Sequence, residues 1–250
     1  MVALGEIIAF CDDETHQLSI KDFSPAYNGL QVQNSGEVSL IGAAVDANLE
    51  TFKRAKAMGV DFLIVHHGLF WDEIKPLTGI AFEKVAYLIK QNIALYSSHL
   101  PLDAHEKIGN NVLIAKELNL TLQGRFLPYE GKDIGVIALN KKDRKSLRLD
   151  VEKQFSRCIA IEYGSENPGR VGIVSGSSNL PISELKANGI DTLITGELKQ
   201  RYFSLAQDEK LNLYLCGHYA TEVFGVKSLA ELVSKKFGVK WKFIESECPL

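Results

Sequence analysis

The chain lacks most of the marks that would assign it to a specialised class. Its four cysteines, Cys11, Cys158, Cys216 and Cys248, are scattered with no C-x-x-C pair, so neither a thiolate zinc site nor a disulfide framework is indicated. No apolar run approaches the roughly 20 residues that cross a bilayer. No Lys/Arg block stands out in a chain of net charge -3, so neither a membrane span nor a nucleic-acid surface is expected. Residues 1–10 carry Glu6 and show neither the basic start nor the small-residue cleavage site of an export signal, and a cytoplasmic setting is expected. There is no P-loop, no dinucleotide fingerprint and no G-x-S-x-G elbow. What is present is 250 residues, 46% hydrophobic and 24% charged, enough for one large α/β domain or two small ones.

A repeat runs along the chain. Residues 56–65 read KAMGVDFLIV and residues 186–195 read KANGIDTLIT. Each is preceded by a short apolar run ending in small residues and Asn, IGAAVDAN and VGIVSGSSN. Each is followed by another apolar run with a Leu-Tyr pair, NIALYSSH and LNLYLCGH. Short continuous apolar runs suit strands buried on both faces of a parallel sheet. Residues 49–58 place Phe52, Ala55 and Met58 or Ala57 on one helical face before Gly59 stops the helix. Residues 81–90 predict a second helix burying Phe82, Val85, Leu88 and Ile89. The fold class expected is α/β: two similar lobes, each a βαβαβ unit, over residues 1–125 and 126–250. Between the repeats, residues 133–139 and 158–163 read as strands flanking a charged helix at 143–155.

Four of the six histidines, His66, His67, His99 and His218, lie just beyond the apolar ends of predicted strands. Ligands in open α/β sheets sit at the carboxyl ends of strands. Side chains alternate along a strand, so the His66-His67 doublet needs a bend at Gly68 to bring both rings to one cluster. His99-x-x-x-Asp103 and His218-x-x-x-Glu222 follow the third strand of each copy, and a spacing of four puts both members on one face of a helical turn. Imidazoles with carboxylates and no thiolates suit zinc, manganese, iron, cobalt or nickel. So many donors exceed the needs of one catalytic ion and match two ions about 3.5–4 Å apart.

The ordered motifs DFLIVHHGLFW, SSHLPLDAHEKIGNN, TGELKQ and CGHYATEVFGVKSLAE resemble the GTP cyclohydrolase I type 2 homologue family, the Nif-three-like dinuclear-metal proteins, in its short bacterial form. The resemblance runs from YNGLQV almost to the C-terminus. It implies two similar α/β lobes with a metal-binding cleft between them, where His66, His67, Asp103, His218 and Glu222 ligate two divalent ions, and assembly of the chain into a hexameric ring. It also implies a metal-dependent hydrolase with a metal-activated water as nucleophile and a small-molecule substrate, GTP ring opening being the specific version. The alternative is a non-catalytic metal-binding scaffold or a metal buffer.

Glu197 at TGE corresponds to the position of the His66-His67 doublet in the first copy, as a general base, a partner of a ligand, or a charge at a helix N-terminus. His99 either supports a ligand or meets substrate, and it is paired with Glu197 as a candidate for proton transfer. His16 and His105 read as surface residues, and Phe70 and Trp71 either line a pocket mouth or pack in the core, the second being favoured. The SGSSN segment, residues 175–179, reads as a tight turn rather than an anion site, and a thiol nucleophile at Cys216 is not favoured.

Overall fold

The computed structural model describes residues 1–250 apart from 18, 25, 72–74, 179–181, 247 and 250. The chain divides into two compact units, Met1–Leu102 with Gly225–Glu247, and Asp103–Phe224 with Cys248–Leu250. The sequence reading divides it at 125/126. In the structure the first unit instead ends after Leu102 and recovers the C-terminal segment as its own edge strand. The second unit correspondingly begins at Asp103.

The first unit is built on a five-stranded sheet in the order Lys240–Phe243, Leu40–Asp46, Phe62–His67, Ala94–Ser97, Gly29–Val32. The first four strands are parallel and the last is antiparallel to its neighbour. The helix Leu49–Ala57 starts at Asn48, whose side chain accepts the Thr51 N–H at 2.9 Å, and ends just before Gly59 with φ +84°. It buries Phe52 and Ala55 against Leu63, Val65, Leu95 and Ile244. The helix Gly79–Gln91 departs from expectation, because only Leu88 is buried while Phe82 is 58% and Ile89 62% exposed. This helix meets the sheet at Ala94–Ser97 and the edge strand Gly29–Val32, so the sheet covers only a narrow stripe of it.

The second unit carries a six-stranded sheet in the order Thr121–Tyr129, Lys132–Leu139, Arg170–Ser177, Thr192–Glu197, Asn212–Leu215, Ile159–Glu162. The three central repeat strands are parallel, Lys132–Leu139 and Ile159–Glu162 run antiparallel to them, and Thr121–Tyr129 pairs antiparallel with Lys132–Leu139. The charged helix forms at Arg144–Gln154, capped by Asp143, whose side chain accepts the Ser146 N–H at 2.7 Å. The strand Thr121–Tyr129 has no clear signature in the sequence, because Gly124 and Pro128 interrupt its pattern. It is a hairpin arm closed by Glu130 and Gly131, both at positive φ, the two-residue turn that matches strand twist.

The repeat is physical as well as textual. Ile41, Gly42, Ala43 and Ala44 pair with Phe62, Leu63, Ile64 and Val65, as Val171, Gly172, Ile173 and Val174 pair with Thr192, Leu193, Ile194 and Thr195. Fully buried Tyr96 and Tyr214 occupy the same register position on the third strand, each donating its hydroxyl to a carboxylate, Asp12 or Glu162. Gly42 and Gly172 also correspond. A Cβ at Gly42 would lie 2.7 Å from Ile244 and 2.8 Å from Val60, and one at Gly172 2.9 Å from Phe126 and 3.2 Å from Ile190. Each glycine therefore admits the apolar residue that follows the helix onto the sheet.

Overpacking either position should be costly. Gly42→Ala is expected to lower stability by about 1–3 kcal/mol, and Gly172→Ala by less, because its neighbours stand slightly farther away. Urea melts of the two variants check this, and unchanged midpoints would refute the tight-packing account.

Candidate metal-binding site

In the first unit the strand Phe62–His67 delivers His66 and His67 at its carboxyl end, and His99 follows the adjacent strand Ala94–Ser97. The ring centroids of His66 and His67 are 4.9 Å apart, so the doublet does turn both imidazoles to one neighbourhood. Gly68 permits the turn. A Cβ there would lie 2.2 Å from Gln31 Nε2, and the Gln31 Oε1 accepts the Leu69 N–H at 2.6 Å. His99 joins them, its ring 4.8 Å from His66 and 5.6 Å from His67.

Each of the three rings is held through Nδ1. His66 Nδ1 lies 3.0 Å from the Ser98 carbonyl, His67 Nδ1 2.8 Å from Asp46 Oδ1, and His99 Nδ1 2.9 Å from Asp22 Oδ1. A carbonyl or carboxylate at Nδ1 fixes the proton there and gives the lone pair to Nε2. His66, His67 and His99 thereby present ligand atoms that all lie within 4.8 Å of one another, a group that can hold a metal ion. Trp71 closes against this group edge-on, 4.8 Å from His99 and 5.7 Å from His67, with its indole N–H donating to the Gly68 carbonyl at 2.7 Å. It is a site neighbour, not simple core packing.

Asp22 is the most heavily engaged of these partners. Besides His99 it accepts the N–H groups of Phe23 and Leu100 and the side-chain amide of Asn28, whose own oxygen accepts the His99 N–H. Burial pushes its pKa up, but the His99 ring and the surrounding donors outweigh this and hold it below the usual carboxylate value. Nothing in the sequence distinguishes Asp22, which lies 77 residues from His99. Asp46 had a signal, since strand register sets it opposite His67.

In the second unit the helix His218–Phe237 opens with the predicted pair: His218 Nε2 lies 3.1 Å from Glu222 Oε1. On its other side His218 Nδ1 lies 3.0 Å from Glu197 Oε1. Burial opposes charge on this imidazole, yet Glu222 and Glu197 together push its pKa up to about 9. Glu197 closes the strand Thr192–Glu197, before the helix Arg201–Glu209 begins, so it holds His218 rather than capping a helix. Asp103 Oδ1 accepts from Asn110 Nδ2 at 2.7 Å and Ser175 Oγ at 3.0 Å. Ser175 and Gly176 sit at an irregularity in the strand Arg170–Ser177, not in a separate turn, and Asn179 of the expected SGSSN turn lies outside the described residues. Gly176, at φ +64°, leaves room where a Cβ would fall 2.2 Å from Glu222 Oε1 and 3.1 Å from His218 Nε2. One bulged segment thus touches Asp103 and the His218–Glu222 pair.

One expectation is corrected. His105 is buried, at 6% exposure, because its Nδ1 accepts the N–H groups of Lys107 and Ile108 and closes the turn into the helix Asn110–Glu117. Cys216 is buried as well, and its thiol is pushed up by the hydrogen bond with Cys158 and by burial, so it is not poised to attack a substrate.

The family profile of Duf34/NIF3, NGG1p interacting factor 3, matches residues 2–249. The chain belongs to this family. It is 36% identical over 242 residues to the GTP cyclohydrolase 1 type 2 homolog of Archaeoglobus fulgidus, covering 97% of each chain. To the homolog of Deinococcus radiodurans it is 40% identical over 223 residues, covering 88% of this chain and 85% of the relative. Among solved structures, TTHA1606 from Thermus thermophilus superposes with a TM-score of 0.88 at 33% identity, over 100% of both chains. Protein ybgI, described as of unknown function, gives 0.91 at 29% identity, again over 100% of both. The α/β fold with two sheet-bearing units is thus shared with these two solved structures. No described helix is long and apolar enough to cross a membrane.

A depressed carboxylate pKa stabilises the fold above the unfolded value near 3.9 and loses that contribution as pH falls through the folded value. Asp22→Asn should therefore flatten the acid limb of the stability profile below about pH 4. Urea midpoints measured against pH would show it, and parallel profiles for variant and wild type would remove Asp22 from this role.

Proposed function

We propose that the protein binds a pair of divalent ions through His66, His67, Asp103, His218 and Glu222 and acts as a metal-dependent hydrolase on a small molecule. The observation that carries the reading is the group of three imidazoles, each tied at Nδ1 so that Nε2 is the donor. The donor set fits such ions: nitrogen and carboxylate oxygen without thiolate, and in the second unit an imidazole whose positive charge two carboxylates already favour. When bound, ions of this kind supply Lewis acidity and an activated water.

The remaining work falls to the chain itself. Asp46 and the Ser98 carbonyl orient His67 and His66, and Glu197 orients His218. His99, held by Asp22 with Nε2 basic, is the group suited to take a proton from a nucleophile or pass one to a leaving group. Trp71 packs edge-on against one side of His99. The names of the curated relatives make GTP the first substrate to assay. The reading includes a cytoplasmic homo-oligomer, with the hexameric ring implied by the family resemblance.

Apoprotein reloaded with zinc, manganese or iron should take up about two ions per chain, read by elemental analysis. Alanine at His66 or Glu222 should abolish one or both, while Asp46→Asn should weaken affinity about 10–100-fold with the fold intact, read by chelator competition. GTP and a phosphoester panel then test turnover. Activity that survives His66→Ala or Glu222→Ala unchanged would take hydrolysis away from this site. Tight metal binding with no turnover across the panel would assign the protein to the scaffold or metal-buffer class.

A further inference from the structure

Two of the four cysteines, 58 residues apart in sequence, meet in the second unit. The strand Ile159–Glu162 pairs antiparallel with Asn212–Leu215, Leu215 facing Ile159, and the next step along both chains sets Cys216 opposite Cys158. Opposed residues in an antiparallel pair alternate between hydrogen-bonded and non-hydrogen-bonded positions. Tyr163 donates its N–H to the Leu211 carbonyl at 3.1 Å, which makes 211/163, and by alternation 213/161 and 215/159, the hydrogen-bonded pairs. Cys216 and Cys158 therefore fall at a non-hydrogen-bonded position, where Cα atoms stand only about 4.5 Å apart and side chains are closest. That separation lies inside the range a disulfide spans.

The facing confirms the register. Tyr214, Cys216, Ala160 and Cys158 all pack on one core cluster, whereas Leu213 and Ile161 pack on the other side of the sheet. The two thiols share a hydrogen bond, and Cys216 Sγ also lies 3.7 Å from the Tyr214 carbonyl. Their surroundings differ. Cys216 is buried, while Cys158 is half-buried at the exposed end of the edge strand, beside Ile159. The hydrogen bond from Cys216 holds the Cys158 thiol below its usual range against the opposing effect of burial, and Arg148 adds to the lowering.

We propose that Cys158 and Cys216 form a reversible redox pair that closes to a disulfide when Cys158 meets a hydroperoxide. The Cys158 thiolate attacks the terminal oxygen of the hydroperoxide, the O–O bond breaks, and the departing alkoxide or hydroxide takes back from solvent the proton the thiol gave up, giving the sulfenic acid and an alcohol or water. The Cys216 sulfur then attacks the Cys158 sulfur, its proton passes to the departing hydroxyl, and water is released as the S–S bond forms. A small-molecule dithiol reverses the step by exchange. The pair stands two residues ahead of His218, joined to it by Gly217, which donates its N–H to the Gly196 carbonyl at 2.9 Å.

The C-terminal tail supplies a rival. Cys248 is exposed, and Pro249 accepts a hydrogen bond from Arg157, the residue before Cys158. The test is to treat the full chain with hydrogen peroxide, block remaining thiols, and map peptides without reduction. The expected result is a Cys158–Cys216 cross-link as the main product, removed by dithiothreitol and absent from Cys158→Ser protein. Cys216→Ser protein should stop at a Cys158 sulfenic acid that dimedone traps. A predominant Cys158–Cys248 link, a link between chains, or both thiols remaining fully alkylatable would overturn the proposal. Thermal melts of the two serine variants separate loss of the link from loss of the fold, and an unfolded variant is replaced by the alanine one.

Discussion

An imidazole has two nitrogens, and whatever grips one decides what the other can do. His66, His67 and His99 are each gripped at Nδ1, by a backbone carbonyl in the first case and by carboxylates in the others. These three hydrogen bonds convert histidines that could point and protonate in several ways into a fixed set of Nε2 donors. Much of the first unit is arranged around keeping them. The Ser98 carbonyl is available because the parallel strand carrying Ser97 ends there, and Asp46 is available because strand register brings it level with His67. Asp22 comes from a loop with no regular structure of its own, fastened by its bonds to Phe23, Asn28 and Leu100.

The second unit reaches a comparable end by other means. There the helix His218–Phe237 provides both a donor and its carboxylate neighbour within one turn, and Glu197 at a strand end steadies the ring. Close approach of that helix depends on glycine. A Cβ at Gly196 would fall 2.4 Å from the Gly176 carbonyl and 2.8 Å from the His218 Cα, and Gly176 itself needs the left-handed backbone.

The sequence made a good deal of this legible. Apolar runs and the matched KAMGVDFLIV and KANGIDTLIT segments located the parallel strands and intervening helices, because strands buried on both faces must be continuously apolar. The helical spacing of His218 and Glu222 translated directly into their contact. The edge strands were harder to see: Thr121–Tyr129 and Gly29–Val32 contain glycine, proline or polar residues that a half-covered strand tolerates. The helix Gly79–Gln91 misled in the opposite direction, since its apolar residues outnumber those the sheet edge can cover. Asp22, the pairing of Cys158 with Cys216, and the burial of His105 arise from tertiary neighbours, and no local pattern encodes them.

The matched registers have a consequence for ancestry. By the strand pairing of the two copies, His66 corresponds to Gly196 and His67 to Glu197. Where one half carries imidazoles, the other carries a residue too small to obstruct a helix and a residue of opposite acid–base character. Two identical halves would have presented the same pair of residues at this strand end twice. The chain reads as a repeated frame whose second strands end differently, in two imidazoles in one half and in a glycine and a carboxylate in the other, while each half keeps a histidine just beyond its third strand, His99 and His218.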